Sequence, residues 1–232
     1  MKYLSHRLSA AMWARVLLLW LTLFVGALVV GGFALWLGQG VQTNIRNELA
    51  SQQITFTAAD QLTDQEKALP GIVENAGLPL TTGNQAQAYA GLIGLHLQEA
   101  ATSAGYPGAT YATLGGIQRT LNAALATAKK GTDQAAIDKA QTDVTTVTNL
   151  RNTMLTGNTL RGNLLSAYGW DNVASGIITT SIFILVLALV FLVLFVFELR
   201  RGHLPPTEAA SVNATSPGDQ PASSTKKAPQ YS

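Results

Sequence analysis

The chain has no cysteine and only three histidines in 232 residues, and charged side chains make up just 12% of it. The first absence excludes disulfides and thiolate metal sites, so whatever folds is held by packing. The second leaves little material for metal or general-base chemistry, because imidazole is the usual group for both. Scarcity of charge is uneven along the chain. Two long stretches, 16–37 and 173–197, contain no charged residue at all.

Each run exceeds the roughly 20 apolar residues that an α-helix needs to cross the hydrocarbon core of a bilayer. A helix satisfies its own backbone N–H and C=O groups, so a single run of this length is stable in lipid. Lys2, Arg7 and Arg15 precede the first run, and Arg200 and Arg201 follow the second. The positive-inside rule therefore puts both termini in the cytoplasm of a two-pass plasma-membrane protein. Trp13, Trp36 and Trp170 lie near run edges, where an amphipathic indole favours the headgroup layer. Outside the central segment seven basic residues face three acidic ones, and within it eight face ten. The net charge of +2 thus averages two compartments and does not point to nucleic acid, and the apolar runs make the lipid bilayer the expected partner. A cleaved signal peptide is the competing reading of the first run. Its length and the poor small-x-small pattern at Leu37-Gly38-Gln39-Gly40 favour a retained anchor.

The layout read from this is a cytoplasmic N-terminus (1–15), a first transmembrane helix (16–37), an extracytoplasmic domain (38–172), a second transmembrane helix (173–197) and a disordered cytoplasmic tail (198–232). The tail is rich in Pro, Ser, Thr and Ala and has too few large apolar residues to bury a core. In the domain, apolar residues recur at helical spacing. Ile45 and Leu49 extend the first helix past the membrane. Residues 54–82 form a long, partly helical connection, in which Thr63 and Glu66 make a capping box. Ala86, Ala90, Ile93, Leu97 and Ala100 make one stripe, and Leu114, Ile117, Leu121, Leu125 and Ala128 a second. Between them, Tyr106-Pro107-Gly108 supplies a turn. Gly131 suits a left-handed position after the second stripe, and Thr132 or Asp133 caps a last helix carrying Ile137, Ala140, Val144, Val147 and Met154. That helix meets no proline before the second span, and Gly157, Gly162 and Gly169 are expected to kink it. The expected fold class is all-α, with two transmembrane helices flanking a four-helix-bundle-like domain around one core.

Two stretches, Thr82-Gly83-Asn84-Gln85-Ala86-Gln87-Ala88-Tyr89-Ala90 continuing to His96-Leu97, and Thr159-Leu160-Arg161-Gly162 with Ala167-Tyr168-Gly169-Trp170, resemble a family of uncharacterised actinobacterial two-span membrane proteins. The resemblance implies the same architecture and no established activity. Its members often carry the label of aromatic ring-opening dioxygenase, and that chemistry needs an iron held by two histidines and a carboxylate. Here His6 and His203 lie at the chain ends and His96 is alone in the domain, so no two can meet.

Other constellations are equally bare. Asp60, Asp64 and Glu66 lack the order of a calcium loop and read as solvated carboxylates. The glycines never form a phosphate-binding loop, and the Asn213 sequon sits on the expected cytoplasmic tail. No catalytic, cofactor-binding or metal residue is assigned, and no cofactor is expected. Arg161, two to three turns before the second span, is a candidate contact for a lipid headgroup or for Glu48, against the alternative of a solvated arginine. In the first run, Ala27, Gly31, Ala34 and Gly38 form a stripe of small side chains, which lets helix backbones approach and points to a membrane-protein partner or a homo-oligomer. The alternative is that glycine is simply common in membrane helices. No matching stripe is read in the second run. Its Phe183, Phe191, Phe195 and Phe197 read as lipid-facing or available for packing between subunits. The expected function is a non-catalytic accessory or structural subunit of a cell-envelope complex, respiratory or secretory. A sensor or ligand-binding membrane protein is the alternative.

Overall fold

The computed structural model describes residues 10–202. Expectations for Lys2, Arg7, His6, His203, the Asn213 sequon and the tail beyond Gly202 lie outside the described residues. Five helices follow in order: α1 (Ala10–Ser51), α2 (Asp64–Lys67), α3 (Gly83–Ser103), α4 (Tyr111–Ala128) and α5 (Gln134–Gly202). Among the described residues there is no strand, only an isolated antiparallel bridge between Thr55 and Pro79.

The 69-residue α5 is the spine, and at 1.5 Å per residue it is about 100 Å long. It runs unbroken as α-helix through Gly157, Gly162 and Gly169. Asp133 starts it, its carboxylate accepting from the N–H groups of Ala135 and Ala136. Each other long helix packs on α5, and α3 and α4 form no helix-on-helix face with each other. The expected bundle around one core is therefore replaced by successive helices laid along one rod, with two separate apolar clusters.

Helix α1 and the lower part of α5 form an antiparallel pair. Along α1 the less exposed positions fall at Trp20, Phe24, Ala27, Gly31, Ala34 and Gly38, alternating threes and fours. Ala174, Ser181 and Ala188 of α5, seven apart, are buried against them. Alternation of three and four is the seven-residue period of paired helices, and small side chains at the contact bring the axes close. Outward positions are apolar and bare, with Phe183 at 72% exposure and Leu18 at 64%. Hydroxyls in this belt are satisfied locally. Ser181 donates to the Ile177 carbonyl at 2.6 Å, and Thr22 to that of Leu18 at 2.8 Å. Both helices are long and apolar enough to cross a membrane.

Above the belt the chain reverses through residues 52–82. Phe56 N–H donates to the Leu78 carbonyl and Leu80 N–H to that of Ile54, so the two ends of this connection are tied together. Its Phe56, Leu62, Ile72 and Leu80 are nearly inaccessible and pack with Leu49, Ala86, Ala90 and Leu164. Phe56 meets Tyr89 edge-on at 5.3 Å between ring centres. The upper cluster joins Leu97 and Ala101 of α3, Leu114 of α4, and Val147, Leu150 and Met154 of α5. Between these two clusters Gly157 lets α5 approach α3, since a methyl added there would lie 2.6 Å from Leu97 Cδ2.

The turn before α4 forms as its residues predict: Ala109 N–H donates to the Tyr106 carbonyl, with Gly108 at φ 75°. Gly131 does not adopt positive φ. The end of α4 is closed instead by tight bonds, among them Gly131 N–H to the Ala128 carbonyl at 3.0 Å.

Candidate functional site

The two apolar runs end at the same height. At one end, the Trp13 indole N–H donates to the Glu198 carbonyl at 3.4 Å. At the other, a methyl added at Gly38 would lie 2.7 Å from Ile178 Cγ1 and 3.2 Å from the Ala174 carbonyl oxygen. Just beyond that second edge, Gln42 Nε2 donates to Ser175 Oγ at 2.9 Å. There a cleft of about 540 Å³ opens between three elements. Its walls are Gln39, Gln42, Thr43 and Arg46 of α1, Thr81 and Thr82 with Asn84 at the start of α3, and Asp171 of α5. Apart from Ile45, every lining side chain is polar.

Local sequence places the α3 wall. Thr82 caps the helix by accepting from Gln85 N–H, and Gln85 Oε1 accepts from the N–H groups of Thr81 and Thr82. Gly83 then permits α5 to come close, because a Cβ there would lie 2.5 Å from Asp171 Cβ and 2.7 Å from its Oδ2. The Asp171 carboxylate is thus seated at the positive end of α3. The described residues contain three ion pairs, Lys67–Asp64, His96–Glu66 and Lys139–Asp143, so Arg46 and Asp171 enter the cleft with opposite charges and no ion-pair partner.

A second polar arrangement lies higher. Glu66 was expected to be solvated, and it is 8% exposed. One carboxylate oxygen accepts from Thr63 N–H at 2.8 Å, while the other lies 2.8 Å from His96 Nε2. The Thr63 N–H bond, helped by His96, holds the Glu66 carboxyl below the usual carboxylate range against the opposing effect of burial. His96 therefore has a partner 30 residues away, invisible to a search for neighbouring ligands. It ties the connection to α3. Asp64 is solvated, beside Lys67 at 3.8 Å. Among the described residues no group of three or more His, Asp or Glu side chains could hold a metal ion.

The small-residue stripe is a packing face, and the face it meets is the chain's own α5. A methyl at Gly31 would lie 3.0 Å from Leu185 and 3.1 Å from Ile184. The stripe is thus filled within the chain and does not by itself point to a separate partner. No stripe at three- and four-residue spacing was expected in the second run, and the small residues that meet the first one are Ala174, Ser181 and Ala188, spaced by seven. Phe183 and Phe197 face outward, whereas Phe191 lies against Trp20 at 5.9 Å. Arg161 does not pair with Glu48. Its guanidinium lies over Gly94 of α3, with Cζ 3.5 Å from where a Cβ would stand. Arg151 repeats the device on α4, lying over Gly115 and the Tyr111 ring, with Nη1 donating to Gln118 at 2.9 Å.

No protein-family model matches the chain, and neither the curated proteins nor the solved structures contain a match to it.

Proposed function

We propose that the chain is a non-catalytic integral membrane protein of the two-span actinobacterial type that it resembles, crossing the plasma membrane twice with its helical domain outside and both termini in the cytoplasm. It acts as an accessory or structural subunit of a cell-envelope complex. The observation that carries this reading is the register of α1 against α5: two apolar runs more than 130 residues apart in sequence begin and end together, as one bilayer requires of both. The same α5 continues for 39 residues above the second run, from Gln134 to Asn172, and holds α3 and α4 on a stalk about 58 Å tall. That is a support for a docking surface. With the small-residue stripe occupied inside the chain, the partner membrane protein or second copy docks on the domain.

The absence of native cysteine allows a direct test. Ser5→Cys and Ser223→Cys are expected to be protected from an impermeant thiol reagent in intact cells, and Ser103→Cys labelled. Labelling at Ser223 overturns the topology. Purification of the tagged chain in gentle detergent is expected to bring a stoichiometric partner or a dimer. A monomer whose melting temperature rises with a small ligand would instead favour the sensor reading.

A further inference from the structure

We infer that the cleft at the edge of the apolar belt is a binding site for one phospholipid headgroup of the phosphodiester–ammonium type, such as phosphatidylethanolamine. The inference rests on the proposed membrane span, not on which face is outside. The hydrocarbon core is about 30 Å thick and each headgroup layer adds roughly 5–7 Å. The cleft begins at Gln39, two residues beyond the first apolar run, and reaches Arg46 about 10 Å higher along α1. It is therefore open at the depth where headgroups lie.

Its walls carry charges of both signs. Side chains on an α-helix lean toward the helix N-terminus. Helix α1 rises out of the belt, so Arg46 leans back toward the lipid, and its long stem lets the guanidinium descend to phosphate level. Helix α5 descends into the belt, so Asp171 leans away from the lipid, as its seat under Gly83 shows. Arg46 and Asp171 thus present one cation and one carboxylate to the same cleft. A zwitterionic phospholipid carries the complementary pair, a phosphate and an ammonium. Arg46 matches the phosphodiester in charge and fork geometry. Gln39 and Thr43 of α1, with Asn84 of α3, add amide and hydroxyl donors to the same walls. Asp171 accepts from the primary ammonium. Among the described residues neither charge has another ion-pair partner to lose.

The test uses the full chain in detergent micelles, with bound lipid counted by native mass spectrometry. Phosphatidylethanolamine, phosphatidylglycerol and water-soluble glycerophosphoethanolamine are titrated separately. The wild type is expected to retain one phosphatidylethanolamine about tenfold more tightly than phosphatidylglycerol, the scale of one charge-assisted hydrogen bond. Arg46→Gln is expected to weaken both lipids about tenfold, and Asp171→Asn to remove the preference while keeping phosphatidylglycerol. Arg119→Gln, on the exposed face of α4, is expected to match the wild type. Helix content by circular dichroism identifies any variant that misfolds, and Asn84→Ala then serves as a milder second probe. Equal retention in Arg46→Gln, or a preference that survives Asp171→Asn, overturns the site. Displacement by glycerophosphoethanolamine at equal concentration overturns a lipid source. Flotation with phosphatidylcholine vesicles separates the two readings: a chain that floats without holding phosphatidylethanolamine loses only the site, and one that does not float loses the span.

Discussion

Gly38 and Gly40 lie two residues apart on α1, and replacing each by alanine is expected to have opposite effects. In a helix interior, alanine is more favourable than glycine by about 1 kcal/mol. At Gly40 nothing lies within 4 Å of the added methyl, so Gly40→Ala keeps this gain. At Gly38 the methyl meets Ile178 Cγ1 at 2.7 Å, against an ordinary carbon–carbon contact of about 3.5–4.0 Å. Ile178 can turn aside only in part, because the next neighbour is the Ala174 carbonyl oxygen at 3.2 Å, which is fixed in the α5 backbone. Overpacking of this kind costs about 1–3 kcal/mol. The two variants are therefore expected to differ by about that amount, or roughly 2–12 °C in melting temperature for a chain of this size. Thermal melts followed by circular dichroism in one detergent measure the difference. Adding Ile178→Ala to Gly38→Ala is expected to cost less than the two changes separately, since the clash disappears with the side chain. If Gly38→Ala melts as high as Gly40→Ala, α1 and α5 are not paired in this register.

The same contrast is expected within α3. Gly91→Ala has open space and is expected to stabilise by about 1 kcal/mol, whereas Gly83→Ala drives a methyl into Asp171 Cβ and is expected to cost about 1–3 kcal/mol in the same melts. Glu66 supplies a pH dependence. Its folded carboxyl is held below its ordinary value, so as pH falls the unfolded chain takes up the proton first. The resulting stability is fully present above the unfolded value of about 4.3 and is lost as pH falls through the folded one. Glu66→Gln is expected to lower the melting temperature at neutral pH, by a stability of about 1 kcal/mol, and to flatten its fall below about pH 5. An unchanged pH profile in that variant would remove Glu66 as the cause.

Much of the fold was legible in periodicity. The stripes of α3 and α4 read from spacing alone are the faces that pack on α5, and the capping box at Thr63 and the cap at Asp133 form as their residue types require. The box at Thr82 and Gln85 has the same spacing, with glutamine in place of glutamate. Other features had no local signature. Ala174, Ser181 and Ala188 are spread among leucines and phenylalanines, and their meaning appears only when α1 is laid beside them. Phe56, Leu62, Ile72 and Leu80 follow no period, because each is buried by a different reversal of the connection. The cleft draws on α1, the start of α3 and α5, and its two charges are 125 residues apart. No sequence window contains both.

Four helical stripes suggested four helices around one core, and the reason they do not assemble that way lies in α5. A bundle needs each helix to present apolar positions to two neighbours. Helix α3 gives its second apolar face, with Ala88 and Leu92, to the 52–82 connection, and α4 is too narrow to have one. On α4 only Leu114 and Leu125 are buried, with exposed positions occupying most of the remaining surface. Such a helix is satisfied by one partner, and α5 is long enough to serve α1, α3 and α4 at successive heights. The consequence reaches function. Along a single rod, α3 meets the α1–α5 pair at its lower end, where Gly83 rests on Asp171 and Ala86 and Ala90 share a cluster with Leu49, and α4 joins α3 and α5 through the cluster around Leu114. The proposed headgroup in the lower cleft would therefore act on the start of α3 first, and any change would reach the upper cluster through the contacts of α5 with Leu97 and Leu114. Cleft and upper cluster are joined by one helical element, and under the proposed function a partner docked on the domain would be held at a height that α5 sets.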